Sequence, residues 1–109
     1  MEGKYPTVRW VREKLRYDWF ARTREQVLNV YVIGSEARGM SKSDSDLDIA
    51  VIIKEKPNLT SIKFSERFHS KYPSNADMPK WNGKRVDFQF FYPGEIEKLG
   101  YKAIELELR

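Results

Sequence analysis

The chain has 109 residues, no cysteine, and a formal net charge of +4. The absence of cysteine excludes disulfide bonds and thiolate metal sites, and no apolar run approaches the ~20 residues that a membrane-spanning helix needs. The length allows a single domain, residues 1–109, and the 40% apolar content argues against disorder. Because the first ten residues lack the apolar core of a signal peptide, we expect a cytoplasmic protein.

The first predicted element is a helix from Val8 to Phe20. Thr7 is a suitable N-cap, and apolar residues then recur at helical spacing, namely Val8, Val11, Leu15 and Trp19. We interpret Trp10 and Tyr17, which flank this stripe, as core residues. Seven cations lie in the first 25 residues. Because acidic residues alternate with them and no nucleic-acid-binding motif is present, a solvated helix face is favoured over a nucleic-acid partner.

Two buried strands are predicted in the middle of the chain. Leu28–Ile33 is mostly apolar and rich in β-branched residues, which favours a central strand. Gly34 and Ser35 interrupt this run, and a short helix that Gly39 can end follows them. After a polar loop, a second strand is predicted at about Asp46–Lys54, and its unbroken apolar run indicates burial on both faces.

The residues between these strands are suited to phosphate and metal binding. Gly34 allows a tight turn and a close approach of the backbone to a ligand. The Ser35 hydroxyl and the free N–H groups at a helix start can hold phosphate oxygens. Asp46 and Asp48 lie two positions apart and therefore point to the same side of a strand, where their oxygens suit Mg²⁺. Asp44 and Asp46 form an alternative pair.

A second helix, about Leu59–Ser70, is predicted after the second strand. Asn58 or Thr60 can cap it, and its apolar anchors would be Ile62, Phe64 and Phe68. Beyond it, Glu95–Leu99 is predicted to form a helical turn that Gly100 ends. The residues that follow alternate apolar and charged, which indicates a terminal edge strand, although a helix fits the same stretch.

A hairpin is predicted around Asn82-Gly83, because this dipeptide favours tight β-turns. It would join a short strand at Lys80-Trp81 to a longer one at Arg85–Phe91. Asp87 lies in the middle of the longer strand, where a carboxylate is unfavourable unless it is paired or bound to metal. Its alternatives are therefore a metal site or a hydrogen bond to Arg85 or Lys84.

The spacing of the central motif resembles the signature of a known family. Gly34-Ser35, ten further residues and then Asp46-Leu47-Asp48 are similar to the pattern of the polymerase-beta-type nucleotidyltransferase superfamily, in its minimal branch. This spacing favours Asp46 and Asp48 over Asp44. The resemblance implies the nucleotidyltransferase fold, an α/β (α+β) domain whose mixed β-sheet has helices packed mainly on one face.

The resemblance also implies a reaction. Gly34 and Ser35 would hold the β- and γ-phosphates of ATP or another NTP, and Arg38 would either reach those phosphates or pair with a nearby Asp. Asp46 and Asp48 would hold two Mg²⁺ ions, with Asp87 as a third ligand that helps to deprotonate the acceptor hydroxyl. A nucleoside monophosphate, AMP in the case of ATP, would be transferred as pyrophosphate leaves.

The acceptor is the part that the motif does not identify. A chain of this length has no room for an acceptor-binding domain, so we expect a partner chain or a homo-oligomer. Small family members are often antitoxins paired with a helical HEPN-type toxin, which they can adenylylate on tyrosine. Three alternatives stay open: a non-catalytic antitoxin or binding module, a small-molecule (aminoglycoside-like) nucleotidyltransferase, and a nucleic-acid end-modifying enzyme.

Overall fold

The computed structural model describes residues 3–15, 27–40, 42, 45–55, 57–71, 79–100 and 102–108. The elements follow one another in this order: α1 (Val8–Lys14), β1 (Val27–Ile33), α2 (Gly34–Ala37), β2 (Leu47–Ile53), α3 (Ser61–Lys71), β3 (Lys80–Trp81), β4 (Lys84–Phe91), a 3₁₀ helix (Pro93–Leu99) and β5 (Ile104–Glu105). None of the helices in the described segments is long and apolar enough to span a bilayer.

The strands of the described residues form one mixed sheet in the order β3-β4-β2-β1-β5. Strands β2 and β4 are parallel, whereas β1 pairs antiparallel with both β2 and β5, and β3 pairs antiparallel with β4. The neighbouring inner strands β1 and β2 have the longest apolar runs, as expected for the interior of a sheet. Most of β2 is buried, whereas Leu28 of β1 is 48% exposed. The predicted mixed sheet of the α+β class is confirmed.

The core lies where α1 and α3 pack against the sheet. Apolar side chains at alternate positions of β2 and β4 face the two helices, because successive residues of a strand point to opposite faces. This cluster includes Val8, Val11 and Leu15 of α1, Phe64 of α3, and Leu47, Ile49, Val51, Ile53, Val86, Phe88 and Phe90 of the sheet. On the other face of β2, Ala50 and Ile52 are also buried. Burial of β2 on both faces is therefore confirmed.

Both predicted threonine caps are confirmed. The Trp10 N–H donates to the Thr7 hydroxyl at 3.1 Å, and the Lys63 N–H donates to the Thr60 hydroxyl at 3.1 Å. Thr60, rather than Asn58, therefore caps α3. The predicted continuation of α1 to Phe20, including Tyr17 and Trp19, lies outside the described residues.

One predicted anchor of α3 is wrong. Ile62 is 66% exposed, whereas Phe64 is buried and meets Phe90 edge-on with ring centroids 5.0 Å apart. The helix lies beside β4, and the Phe90 N–H donates to the Ser65 hydroxyl at 3.2 Å. Ile62 lies two positions before Phe64, or about 200° around the helix, and so points away. The Phe68 side chain lies outside the described residues.

The Asn82-Gly83 hairpin is confirmed. Both turn residues have positive φ, 51° and 82°, as the favoured two-residue hairpin turns require. The Trp81 ring meets Trp10 edge-on at 5.2 Å, and its Nε1–H donates to the Gly3 carbonyl oxygen at 3.0 Å. The hairpin therefore anchors the start of the chain, and Trp10 packs against the core as predicted.

The final segment adds an edge strand, which decides between the two predicted alternatives. Strand β5 pairs with Tyr31 and Val32 of β1, and the Leu106 N–H donates to the Val30 carbonyl at 2.9 Å. The segment then reaches the start of α1, where the N–H groups of Val8 and Arg9 donate to the carbonyls of Glu107 and Leu108 at 2.8 and 3.1 Å.

Candidate active site

Gly34 and Asp48 lie side by side at the ends of neighbouring strands. The register of β1 and β2 pairs Ile33 with Asp48, so the turn at Gly34 begins beside the carboxylate. Gly34 has a φ of +72°, and a Cβ at this position would collide with the Asp48 carboxylate oxygen and lie 3.3 Å from Asp48 Cβ. Glycine is therefore required both by the backbone and by the close approach of a carboxylate.

Asp48 and Asp87 lie opposite each other on two parallel strands. The register of β2 and β4 pairs them directly, with Leu47 opposite Val86 before them. Both carboxylates are half-buried. The structure thus brings together the two residues that the sequence placed on separate strands.

Asp46 directly precedes β2 and is held by an arginine. The Arg85 Nε donates to Asp46 Oδ1 at 3.3 Å, and its Nη2 donates to Oδ2 at 3.4 Å. Arg85 shares a face of β4 with Asp87, since two positions separate them. The alternative carboxylate, Asp44, lies outside the described residues.

The electrostatics of this cluster disfavour negative charge on Asp48. Burial raises the pKa of the Asp48 carboxyl above its ordinary value, and the neighbouring carboxylates of Asp87 and Asp46 raise that pKa further. The Arg38 guanidinium acts in the opposite direction on this pKa. Arg38 is thus close enough to influence Asp48, and a second cation at the cluster would relieve the remaining repulsion.

The donor set is compatible with a hard divalent cation shared with a substrate. Asp48 and Asp87 present carboxylate oxygens, the ligand type that Mg²⁺ prefers, and Mg²⁺ is commonly held by one or two carboxylates together with substrate phosphates. Within the described segments, no group of three acidic, histidine or cysteine side chains is arranged to hold a metal by itself. The expected cage of Asp46, Asp48 and Asp87 is therefore not preformed, and Asp46 instead pairs with Arg85.

A second ion pair joins α2 to β4. The Lys84 Nζ lies 3.2 Å from Glu36 Oε2, and the two side chains are only 24% and 14% exposed. Lys84 is therefore shielded from solvent by its pairing with Glu36, which lies in the first turn of α2. The sequence of β4 indicated this shielding. Its apolar residues alternate with polar ones, and the same alternation places Lys84 on the buried face with Val86.

Two concave regions adjoin the carboxylates. A pocket of about 170 Å³ lies between α2, with Gly34 and Arg38, and the later residues Leu99, Gly100, Lys102 and Ala103. A groove of about 540 Å³ lies between α3 and the 3₁₀ helix, and Asp87 and Gln89 belong to its wall. The site thus has a small pocket beside the Gly34 turn and a larger groove beside Asp87.

Comparison with known proteins agrees with this geometry. Residues 18–100 match the model of the family described as polymerase beta, nucleotidyltransferase. The fold is similar to the crystal structure of a candidate nucleotidyltransferase from Sulfolobus solfataricus, with a TM-score of 0.57 and 19% sequence identity over 91% of this chain and 78% of that chain. No curated protein matches the sequence. At this identity the structural similarity concerns the fold alone.

Proposed function

Because the chain belongs to the polymerase beta nucleotidyltransferase family, we propose that it transfers AMP from ATP to an acceptor hydroxyl in the presence of Mg²⁺. The observation that supports this most directly is the pairing of Asp48 with Asp87 across β2 and β4. Gly34 lies against Asp48, at a position where a Cβ would collide with the carboxylate. Such an alignment of half-buried carboxylates is unfavourable for stability and is typical of sites that bind cations.

In the proposed reaction, the residues of the chain bind the nucleotide and accept a proton. Ser35 and Arg38 bind the terminal phosphates, and Asp46, Asp48 and Asp87 are the residues that would hold two Mg²⁺ ions. When bound, these ions would neutralise phosphate charge and make the acceptor hydroxyl more acidic. The acceptor oxygen bonds to the α-phosphorus as the bond to the bridging oxygen of pyrophosphate breaks. Asp87 accepts the hydroxyl proton, and pyrophosphate leaves.

We propose that the acceptor enters through the groove beside Asp87. Its volume of about 540 Å³ is within the range of roughly 300–1,000 Å³ that is usual for small-molecule sites. Its exposed lining is mostly carbon, and two of its carboxylates are paired with lysines, Glu66 with Lys63 at 3.4 Å and Glu95 with Lys98 at 3.1 Å. An aromatic hydroxyl suits such a lining better than a polycation such as an aminoglycoside does.

We therefore propose a protein acceptor, namely a tyrosine of a small helical partner of the HEPN toxin type, with the present chain as its antitoxin. A second copy of the chain is the alternative source of the hydroxyl.

The test is transfer of label from [α-³²P]ATP with Mg²⁺ to the chain and to the protein encoded by a neighbouring reading frame. The double variant Asp46→Asn, Asp48→Asn is expected to lower the transfer at least about 10²-fold, because these groups stabilise charge in the transition state. Glu55→Gln is the matched control, since Glu55 is exposed just beyond the opposite end of β2. Label in the protein band with wild type and control, and its loss with EDTA, is the expected result.

Other results of this experiment would support the alternative functions. No transfer to any acceptor and no binding of Mg-ATP by calorimetry would refute the enzyme and leave a binding module on this fold. Label on an added aminoglycoside, with none on protein, would replace the protein acceptor by a small molecule.

A further inference from the structure

We propose that Lys102 binds the terminal phosphates of the nucleotide, and that Gly100, Lys102 and Ala103 form the second wall of the nucleotide pocket. This inference rests on the proposed function and adds a binding residue that the Gly-Ser and Asp-x-Asp motif does not contain.

The pairing of β1 with β5 places Lys102 next to Gly34. Tyr31 is opposite Glu105 and Val32 is opposite Ile104 in this antiparallel pair. Gly34 directly follows β1, Lys102 lies two residues before β5, and both residues line the same pocket. On the other side of β1, Ile33 is paired with Asp48. The Gly34 turn is therefore flanked by a carboxylate on one side and by a lysine on the other.

The charged side chains that line the pocket favour an anionic ligand. Among the described residues that line it, the charged side chains are Arg38 and Lys102, and both are cations. Both are also exposed, so their charged ends can reach a ligand at the pocket mouth. Cations that converge on one cleft attract and hold phosphate groups.

The pocket is large enough for only one part of a nucleotide. Its volume of about 170 Å³ is below the roughly 300–1,000 Å³ of sites that enclose a whole small molecule. A nucleoside together with three phosphates would therefore not fit inside it. The terminal phosphates are the anionic part, and they are the part that the Gly34-Ser35 turn is proposed to hold.

The backbone that carries Lys102 is held in a turn. The Ala103 N–H donates to the Gly100 carbonyl at 3.3 Å, and Gly100 has a φ of +86°, which glycine adopts readily. On one side this turn continues into β5, and on the other it follows the 3₁₀ helix. The turn and the pairing of β5 with β1 therefore hold the backbone at Lys102 beside the pocket.

The test compares the affinities of single variants for Mg-ATP and for AMP by isothermal titration calorimetry. Lys102→Ala is expected to weaken Mg-ATP binding about tenfold, as for the loss of a charge-assisted hydrogen bond, and to change AMP binding by less than twofold. Lys102→Gln, which keeps most of the side chain, is expected to behave in the same way. Lys54→Ala is the matched control, since Lys54 is exposed beyond the far end of β2, and it is expected to match wild type.

The outcomes separate the two proposals. Unchanged Mg-ATP affinity in both Lys102 variants, with wild type binding normally, overturns the role of Lys102 and leaves the proposed function standing. Equal weakening of ATP and AMP overturns the assignment to the terminal phosphates. If wild type binds no nucleotide, the proposed function is overturned, and the role of Lys102 with it. Equal thermal unfolding midpoints show that the variants are folded.

Discussion

The two ends of β2 differ in what they contribute to the protein. The run Ile49–Ile53 is completely buried, with every side chain at most 1% exposed, and supplies apolar contacts on both faces of the sheet. Asp46 and Asp48, at the start of the strand, place charges next to one another, and burial raises the pKa of Asp48. One strand thus combines a stabilising half with a half whose charges are unfavourable without a ligand. The position of the carboxylates therefore depends on the buried apolar half of the same strand.

The largest change in stability is expected in the apolar half. Ile53→Ala removes buried methylene groups and leaves a cavity in the core, so the free energy of unfolding should fall by about 2–5 kcal/mol. Ile62→Ala makes the same chemical change at an exposed position of α3 and should change this free energy by less than about 0.5 kcal/mol. Urea unfolding followed by circular dichroism measures both. Equal values for the two variants would show that the core is not where the structure has it.

The next largest effect is expected at Gly34, which lies against Asp48. Gly34→Ala and Gly83→Ala each place a Cβ on a residue with positive φ, which destabilises by about 1 kcal/mol. At Gly34 the new Cβ also meets the Asp48 carboxylate, whereas at Gly83 it meets nothing within 4 Å. Gly34→Ala should therefore destabilise by about 1–3 kcal/mol more. Equal unfolding midpoints for the two variants would contradict the close approach of Gly34 to Asp48.

A smaller effect is expected from the ion pair that holds α2 against β4. Glu36→Gln removes one partner of a largely buried pair, and we expect a loss of about 1–2 kcal/mol, between the values for exposed and for buried pairs. Glu66→Gln disrupts the pair with Lys63, whose side chains are 69% and 60% exposed, and should change stability by less than about 0.5 kcal/mol. Thermal unfolding of the two variants at low ionic strength makes the comparison. A matched loss in both would show that burial does not strengthen the first pair.

The smallest effect is expected for Asp48→Asn, which should raise the free energy of unfolding. The folded state raises the pKa of Asp48, so it binds this proton more tightly than the unfolded chain does. Stability from this group is therefore present below the unfolded pKa and is lost as pH rises through the folded value. Asp48→Asn removes this loss and should be more stable than wild type at neutral pH, with no difference below about pH 3.8, near the unfolded value.

Urea unfolding at several pH values in EDTA measures this difference without a bound cation. Glu55→Gln, at an exposed carboxylate beyond the other end of the strand, serves as the control. A variant less stable than wild type at neutral pH would show that the Asp48 carboxylate is favourably paired in the free protein.

The features that alternation and capping determine were predictable from the sequence. The place of Asp87 on one face of β4 follows from the period of two in that strand, and the threonine caps and the hairpin turn follow from local residue preferences. The mixed sheet was implied by the family resemblance of the Gly34-Ser35 and Asp46-Leu47-Asp48 motif, and it is confirmed.

The ion pairs were not predictable, because each joins residues that are distant in sequence. Glu36 and Lys84 are 48 positions apart, and Asp46 and Arg85 are 39 apart. Only the parallel pairing of β2 with β4 brings Arg85 to Asp46, and that pairing is tertiary information. For the same reason, the sequence did not indicate Lys102, whose place beside Gly34 depends on the pairing of β5 with β1.

The bonds between the start of α1 and the final segment have a consequence for the order of folding. The N–H groups of Val8 and Arg9 are satisfied by carbonyls that lie nearly a whole chain length later. Closing so long a loop is entropically unfavourable, so contacts of this kind form after local ones. During synthesis α1 is made long before β5 and before the carbonyls that its N–H groups contact. The sheet can therefore acquire its β1 edge, and the wall of the nucleotide pocket, only when translation of residues 100–108 is complete.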